Sequence, residues 1–172
     1  PGDNVMPANG LVELPSTASL PPMKDIKDIE TQVLIIGGGP AGLSAAIELG
    51  KRGYRGILID DKHRLGGKLV LQTHRFFGSA EAVYAGTRGI DIATKLEKEI
   101  RSLPTVRIWT KTTCLAVYSD KKVGVLKDGE KYVLITPEVL LVATGAREKF
   151  LAFKGNTLPG VYGAGAFQTL VN

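Results

Sequence analysis

Two unbroken apolar runs stand out from the hydrophobic and polar pattern of this chain. Val33–Leu34–Ile35–Ile36 is the first, with three β-branched residues of four. Val139–Leu140–Leu141–Val142–Ala143 is the second. Runs of this kind read as parallel strands buried on both faces. Ile57–Leu58–Ile59 is a shorter third strand, and Val106–Arg107–Ile108–Trp109 alternates as a fourth. From about Pro40 to Lys51 small residues dominate and a helix is expected. A second helix is expected from Arg88 to Ser102, where Ile92, Leu96 and Ile100 recur four apart. Ala93 and Glu97 mark that helix's edge and polar side, and Pro104 helps to stop it. Three short strands follow, Thr112–Tyr118, Val123–Lys127 and Lys131–Ile135. Their turns are Asp120–Lys121–Lys122 and Asp128–Gly129–Glu130, the second with the Asp-Gly pair favoured in hairpins. The expected class is α/β, a central parallel sheet with an inserted antiparallel β-meander. Residues 1–28 carry Pro1, Pro7, Pro15, Pro21 and Pro22 and no period, so an extended arm or linker is expected there. The domain then runs over 29–172, without an internal repeat.

The chemistry gathers where the first strand meets the first helix. Gly37, Gly39 and Gly42 form G-x-G-x-x-G at that turn. Gly37 allows the tight turn, Gly39 lets a pyrophosphate approach the backbone, and Gly42 lets helix pack on strand. Pro40 suits the first helical position, and the N–H groups from Ala41 onward, with the helix dipole, favour phosphate. Asp60 ends the second strand 18 residues after Gly42, close to the spacing expected of an acid that accepts ribose hydroxyls. Asp61 is the acceptor if the register slips by one. The loop Lys62–His63–Arg64–Leu65–Gly66–Gly67–Lys68 follows. Arg64 is a candidate for a phosphate or adenine contact, and Gly66–Gly67 permits close backbone approach. Gln72–Thr73–His74–Arg75–Phe76–Phe77–Gly78 either lines a planar ring or closes the core. The second apolar run ends in Thr144–Gly145, where strand ends meet the ligand crevice of an open α/β sheet.

Composition adds limits. The 172 residues, 44% hydrophobic, suffice for one domain with a real core. No apolar run approaches the roughly 20 residues of a membrane span. No basic start followed by an apolar block marks a signal peptide, and the absence of an initiator Met suggests a processed end or a piece of a longer product. The net charge of +5 is scattered, with only pairs at Lys51–Arg52 and Lys121–Lys122. That suits phosphate-bearing small molecules better than nucleic acid. The single cysteine, Cys114, excludes an internal disulfide and makes a reducing cytoplasm the default. His63 and His74 read as surface or packing residues, and no cysteine–histidine cluster offers a metal site.

Taken in order, the glycine turn, acid, Gly-Gly loop, helix, meander and Ala143–Thr144–Gly145 resemble the FAD-binding half of the flavoproteins with two dinucleotide-binding domains, the glutathione and thioredoxin reductase superfamily. The resemblance covers about residues 31–172. It implies a Rossmann-like ββα FAD/NAD(P)-binding fold with FAD on the first glycine motif. It also implies the ribose on Asp60, adenine against the backbone near Cys114, and cofactor contacts at Lys68, Ala143, Thr144 and Gly145. The tail Gly155–Asn156–Thr157–Leu158–Pro159–Gly160–Val161, with Ala164–Gly165–Ala166 and Gln168–Thr169, resembles the α subunits of heterotetrameric sarcosine oxidase. It is also similar to hydrogen cyanide synthase, opine oxidase and dye-linked proline dehydrogenase subunits. That likeness implies an NAD(P)-domain-like segment after this one, a flavin site completed by chain beyond Asn172, and other subunits or redox domains as partners.

Disulfide reductases of this superfamily carry a Cys pair after the Gly-Gly loop. Here Lys68–Leu69–Val70 stands instead, so dithiol chemistry within this chain is not expected. No side chain presents itself as a proton-transfer group, and no catalytic residue is assigned. The reading is a FAD-dependent oxidoreductase taking hydride or electrons from a small-molecule amine, imino acid or NAD(P)H and passing them to a partner redox centre. Its rivals are an NAD(P)H-dependent flavin reductase of the thioredoxin reductase type and a non-catalytic nucleotide-binding subunit.

Overall fold

The computed structural model describes residues 26–75 and 77–171. The elements are β1 (Lys27–Ile36), α1 (Pro40–Lys51), β2 (Gly56–Ile59), α2 (Ala80–Val83), α3 (Gly89–Arg101), β3 (Val106–Trp109), β4 (Thr112–Val117), β5 (Val123–Lys127), β6 (Lys131–Val142) and α4 (Ala164–Val171). A short 3-10 turn covers Gly67–Leu71. The six strands form one sheet in the order β3-β2-β1-β6-β5-β4. β1 pairs in parallel with β2 and β6, and β2 with β3. β4, β5 and β6 pair antiparallel, which is the expected meander.

Residue alternation along β1 explains the layers. Val33 and Ile35 point to one face and pack with Leu43, Ala46 and Ile47 of α1 and Ile92, Leu96 and Ile100 of α3. Leu34 and Ile36 point to the other and pack with Val123, Val125, Val133 and Ile135 of the meander. Each strand residue therefore meets a partner layer, and this is why β1 and β2 read as unbroken apolar runs. The helices take the apolar stripe expected of them: α3 buries Ile92, Ala93, Leu96 and Ile100 and turns its charged face outward.

Four expectations change. The arm over 1–28 falls mostly on residues outside the described ones, and Lys27 and Asp28 already belong to β1. Lys131–Ile135 and Val139–Ala143 are one strand, β6, running through Pro137. β5 pairs with β6 only as far as Ile135, so at Pro137 one edge of β6 is already free and the missing N–H is tolerated. The second half of β6 is parallel to β1 as expected but not buried: Val139 is 57% exposed and Val142 63%. The tail, for which the sequence assigned no element, contains α4, whose first N–H groups, at Ala164 and Gly165, donate to the carboxylate of Glu148 at 2.8 and 3.0 Å.

Ile35→Ala removes a side chain with no room to be replaced by solvent. We expect it to lower the unfolding free energy by about 2–5 kcal/mol in a denaturant titration. Leu115→Ser, on the outer face of the meander, should stay within about 0.5 kcal/mol. Similar losses for both would contradict the layer assignment.

Candidate functional site

The site begins where β1 runs out. Three glycines, Gly37–Gly39, carry the chain from Ile36 to Pro40. Gly37 donates its N–H to Ile59 O at 2.9 Å, and Ala143 donates to Ile36 O at 2.8 Å, so the ends of β2 and β6 close on either side. Gly37 has φ +107°, and a Cβ there would run into the Ala143 carbonyl. A Cβ at Gly42 would run into the Gly37 carbonyl. The protein's own packing thus demands glycine at both positions.

Gly39 differs. Its φ of −74° is open to any residue. The nearest atom to an added Cβ is Gly67 Cα at 3.9 Å, so no packing constraint requires the missing side chain. The first turn of α1 beside it is equally bare. Pro40 has no N–H to give, and the N–H groups of Ala41 and Gly42 find no carbonyl within the helix. No side chain caps α1, and its first turn holds no acidic residue. The other helices are provided for: Ser79 accepts from Ala82 N–H at α2, Asp91 stands in the first turn of α3, and Glu148 closes α4. Free N–H groups at a positive dipole end, beside a glycine whose missing side chain the packing does not require, fit a diphosphate.

Asp60, the expected ribose acceptor, and Asp61, its alternative, part company here. Asp60 is 9% exposed. Its Oδ2 accepts from Gly38 N–H at 2.7 Å and its Oδ1 from Lys62 N–H at 2.8 Å. Asp61 keeps a side chain 53% exposed, paired only with the Nζ of neighbouring Lys62 at 2.7 Å. Such a surface pair contributes little and leaves the carboxylate accessible. The Gly-Gly loop docks on the same turn: Gly66 N–H donates to Gly38 O at 2.7 Å, and Gly67 lies against Gly39. Gly38 therefore has both main-chain groups engaged, a role hidden in the sequence inside the Gly-Gly-Gly run.

The structure brings Gly37, Gly39, Pro40, Ala41, Gly42, Asp60, Gly66, Gly67, Ala143 and the Thr144 backbone into one cluster. Gly145 follows with φ +73° and exposed, and Lys68 is exposed on the 3-10 turn. Arg64 is drawn aside, its guanidinium donating to Thr94 Oγ1 on α3 at 3.0 Å. Cys114 packs partly buried against the meander core, and burial pushes its thiol above its ordinary value. That disfavours the thiolate and leaves the side chain a packing group. Phe77 packs on the helical core and stacks with His74 at 4.8 Å between centroids, so it closes the core. Phe76 lies outside the described residues. Sequence reasoning missed a hollow of about 340 Å³ beside α1, lined by Pro40, Ser44, Lys68, Gln72, Phe77 and Tyr84 among others. Pro40 and Ser44 stand one helical turn apart, the only signal of it in the sequence.

A parallel sheet layered between helices and a meander, with a glycine turn opening a bare helix, defines a dinucleotide-binding domain of the flavoprotein type. Comparison with known proteins agrees. Residues 31–170 match the family model of pyridine nucleotide-disulphide oxidoreductases, and the chain belongs to that flavin-dependent oxidoreductase family. It is 35% identical over 153 residues to the sarcosine oxidase subunit alpha of Rhizobium meliloti, covering 81% of this chain and 15% of the relative. It is 34% identical over 136 residues to the hydrogen cyanide synthase subunit HcnB of Pseudomonas protegens, covering 78% of this chain and 29% of the relative. Among solved structures, L-proline dehydrogenase from P. horikoshii is similar with a TM-score of 0.67 and 28% identity, over 80% of this chain and 27% of that one. The chain thus spans less than a third of the length of these relatives. The resemblance to sarcosine oxidase, hydrogen cyanide synthase and proline dehydrogenase subunits is borne out. Among the described residues no helix is long and apolar enough to cross a membrane, and no group of three His, Cys, Asp or Glu side chains could hold a metal ion.

The contrast between Gly37 and Gly39 is testable without a ligand. Gly37→Ala forces a positive φ and a backbone overlap, and should lower stability by at least about 1–3 kcal/mol. Gly39→Ala should stay within about 0.5 kcal/mol. Thermal unfolding of the two variants side by side checks this, and equal losses would contradict it.

Proposed function

We propose that this chain is the FAD-binding part of an oxidoreductase that moves hydride or electrons between a small amine, imino acid or NAD(P)H and a partner redox centre. The observation that carries the reading is the unfilled space at Gly39 in front of the uncapped start of α1. There the N–H groups of Ala41 and Gly42 would hold the diphosphate. Ala143 and Thr144 would bound the cofactor on the β6 side, and the Gly66–Gly67 loop would bound it on the other. The ribose hydroxyls would fall to Asp60, whose two oxygens each accept one N–H and keep a lone pair, with the accessible carboxylate of Asp61 as the alternative. When bound, the flavin supplies the redox chemistry, and this part of the protein binds and orients it.

The names of the relatives support the amine or imino acid side of the reading. A similarity of 27% identity over 127 residues to the NADH oxidase of Thermoanaerobacter brockii supports NAD(P)H as the donor in the second reading. Exposed apolar side chains on β6 and in the tail, Val139, Val142, Leu151, Phe167 and Leu170 among them, support further protein covering that side. Whether that protein is other subunits or more of the same chain is part of the proposal, as is a nicotinamide site outside these residues.

The test is the cofactor itself. The purified full-length protein should carry bound flavin in its visible spectrum, and the extracted molecule should have the mass of FAD. Gly39→Val should lose that flavin while remaining folded, because a side chain takes the place of the diphosphate. Retention of flavin at the unmutated stoichiometry would refute the reading.

A further inference from the structure

Beyond Ala143, whose N–H donates to Ile36 O at 2.8 Å, the chain leaves the sheet. It makes an excursion from Glu148 to Ala164 and returns on itself. Inside the excursion the bonds are local. Asn156 N–H donates to Phe153 O, Leu158 N–H to Gly155 O and Val161 N–H to Leu158 O, and the Asn156 side-chain amide donates to Leu151 O. One side chain closes the neck. Glu148 Oε1 accepts from Ala164 N–H at 2.8 Å, and Oε2 accepts from Gly165 N–H at 3.0 Å. Surface loops of this size with adjoining ends are compact units. The neck is shaped for the carboxylate. A Cβ on Gly163 would run into it, and a Cβ on Gly165 would lie 3.3 Å from Oε2. The small residues Gly163–Ala164–Gly165, which the cofactor reading leaves without a role, are thereby explained.

α4 has little else to hold it. It is 8 residues long and buries no side chain. Helices shorter than about 12 residues are marginal alone in water. Among the described residues, the Glu148 carboxylate is the only group before Gly163 that hydrogen-bonds to it. We infer that Glu148 is a latch: it closes the neck of the 149–163 loop and holds α4 folded near the end of β6. Glu148 follows Gly145 by three residues, which span at most about 11 Å. Latched, α4 presents the exposed side chains of Phe167, Leu170 and Val171 on a helix close to Thr144–Gly145. Unlatched, the same side chains ride on a chain with no fixed place. A carboxylate suits the task twice over. Its two oxygens meet two N–H donors, and its charge faces the positive end of the helix dipole. Glutamine has the same reach, but it carries no charge and sets its amide nitrogen against one of the N–H groups. The latch is a property of the polypeptide and stands whether or not flavin binds.

Hydrogen exchange of the full-length protein, read by mass spectrometry, tests it. Peptides covering α4 report the latch, and peptides covering β1 are the internal control. Glu148→Gln should speed exchange across α4 by about tenfold or more, the loss of a charged hydrogen bond, and leave β1 unchanged. Trypsin should then cut after Lys149 or Lys154 several-fold faster. Gly163→Ala, which keeps Glu148 but fills its place, should do the same, and it decides the matter alone if Glu148→Gln does not fold. Combining the two changes should leave α4 exchange within about twofold of the faster single variant, because an open neck cannot be opened again. Unchanged α4 exchange in either variant would overturn the inference, as would equal acceleration in β1 or effects that multiply in the combined variant. Absence of flavin from the unmutated protein would refute the cofactor reading and leave the latch standing.

Discussion

The turn from β1 to α1 is the constraint on which the rest depends. It is pressed on three sides by the protein: Ala143 from β6, Asp60 with the Gly66–Gly67 loop from β2, and the body of α1 behind. A side chain at Gly37 or Gly42 would break those contacts. On the fourth side, at Gly39, the space is open and the helix N-terminus beyond it is uncapped. A parallel sheet buried on both faces supplies the stiffness that holds this geometry, because Val33 and Ile35 anchor the helices while Leu34 and Ile36 anchor the meander. The same four residues that make the core also aim the turn.

The different placement of two adjacent acids follows from this. Side chains of successive residues leave a strand end in different directions. Asp60 goes inward, where unsatisfied N–H groups of the turn and loop would otherwise be buried at a cost. Asp61 stays at the surface. A buried carboxylate with two N–H partners is held in place, and an exposed one paired with a lysine stays accessible. The glycine turn is thereby held in shape before any cofactor arrives, which lowers the ordering cost of binding.

Much of this was legible in the chain. α1 and β5 begin and end where the pattern places them, because each is a local signal: Pro40 opens the helix, and the Asp-Gly pair closes the hairpin. β6 was read as two strands because Thr136–Pro137–Glu138 interrupts the apolar run. Only the non-local pairing with β1, and the early end of β5, make that interruption harmless. α4 was missed because Ala164–Val171 has no alternating polar face, and its cap, Glu148, lies 16 residues back. The inward placement of Asp60 depends on Gly38, 22 residues away, whose N–H only the folded chain brings within reach. Arg64, a candidate phosphate or adenine contact, also has a partner in Thr94, 30 residues on, which the sequence does not show. Local chemistry was readable, and what was not lies where a group distant in the chain supplies the partner.

The most direct measurement of the central claim is an amide-resolved NMR titration of the flavin-depleted protein with ADP. The account predicts that the N–H signals of Gly39, Ala41 and Gly42 move as the diphosphate binds, while that of Gly38, already held by Asp60, moves little. Saturable binding that leaves those three signals in place and shifts residues elsewhere would contradict it.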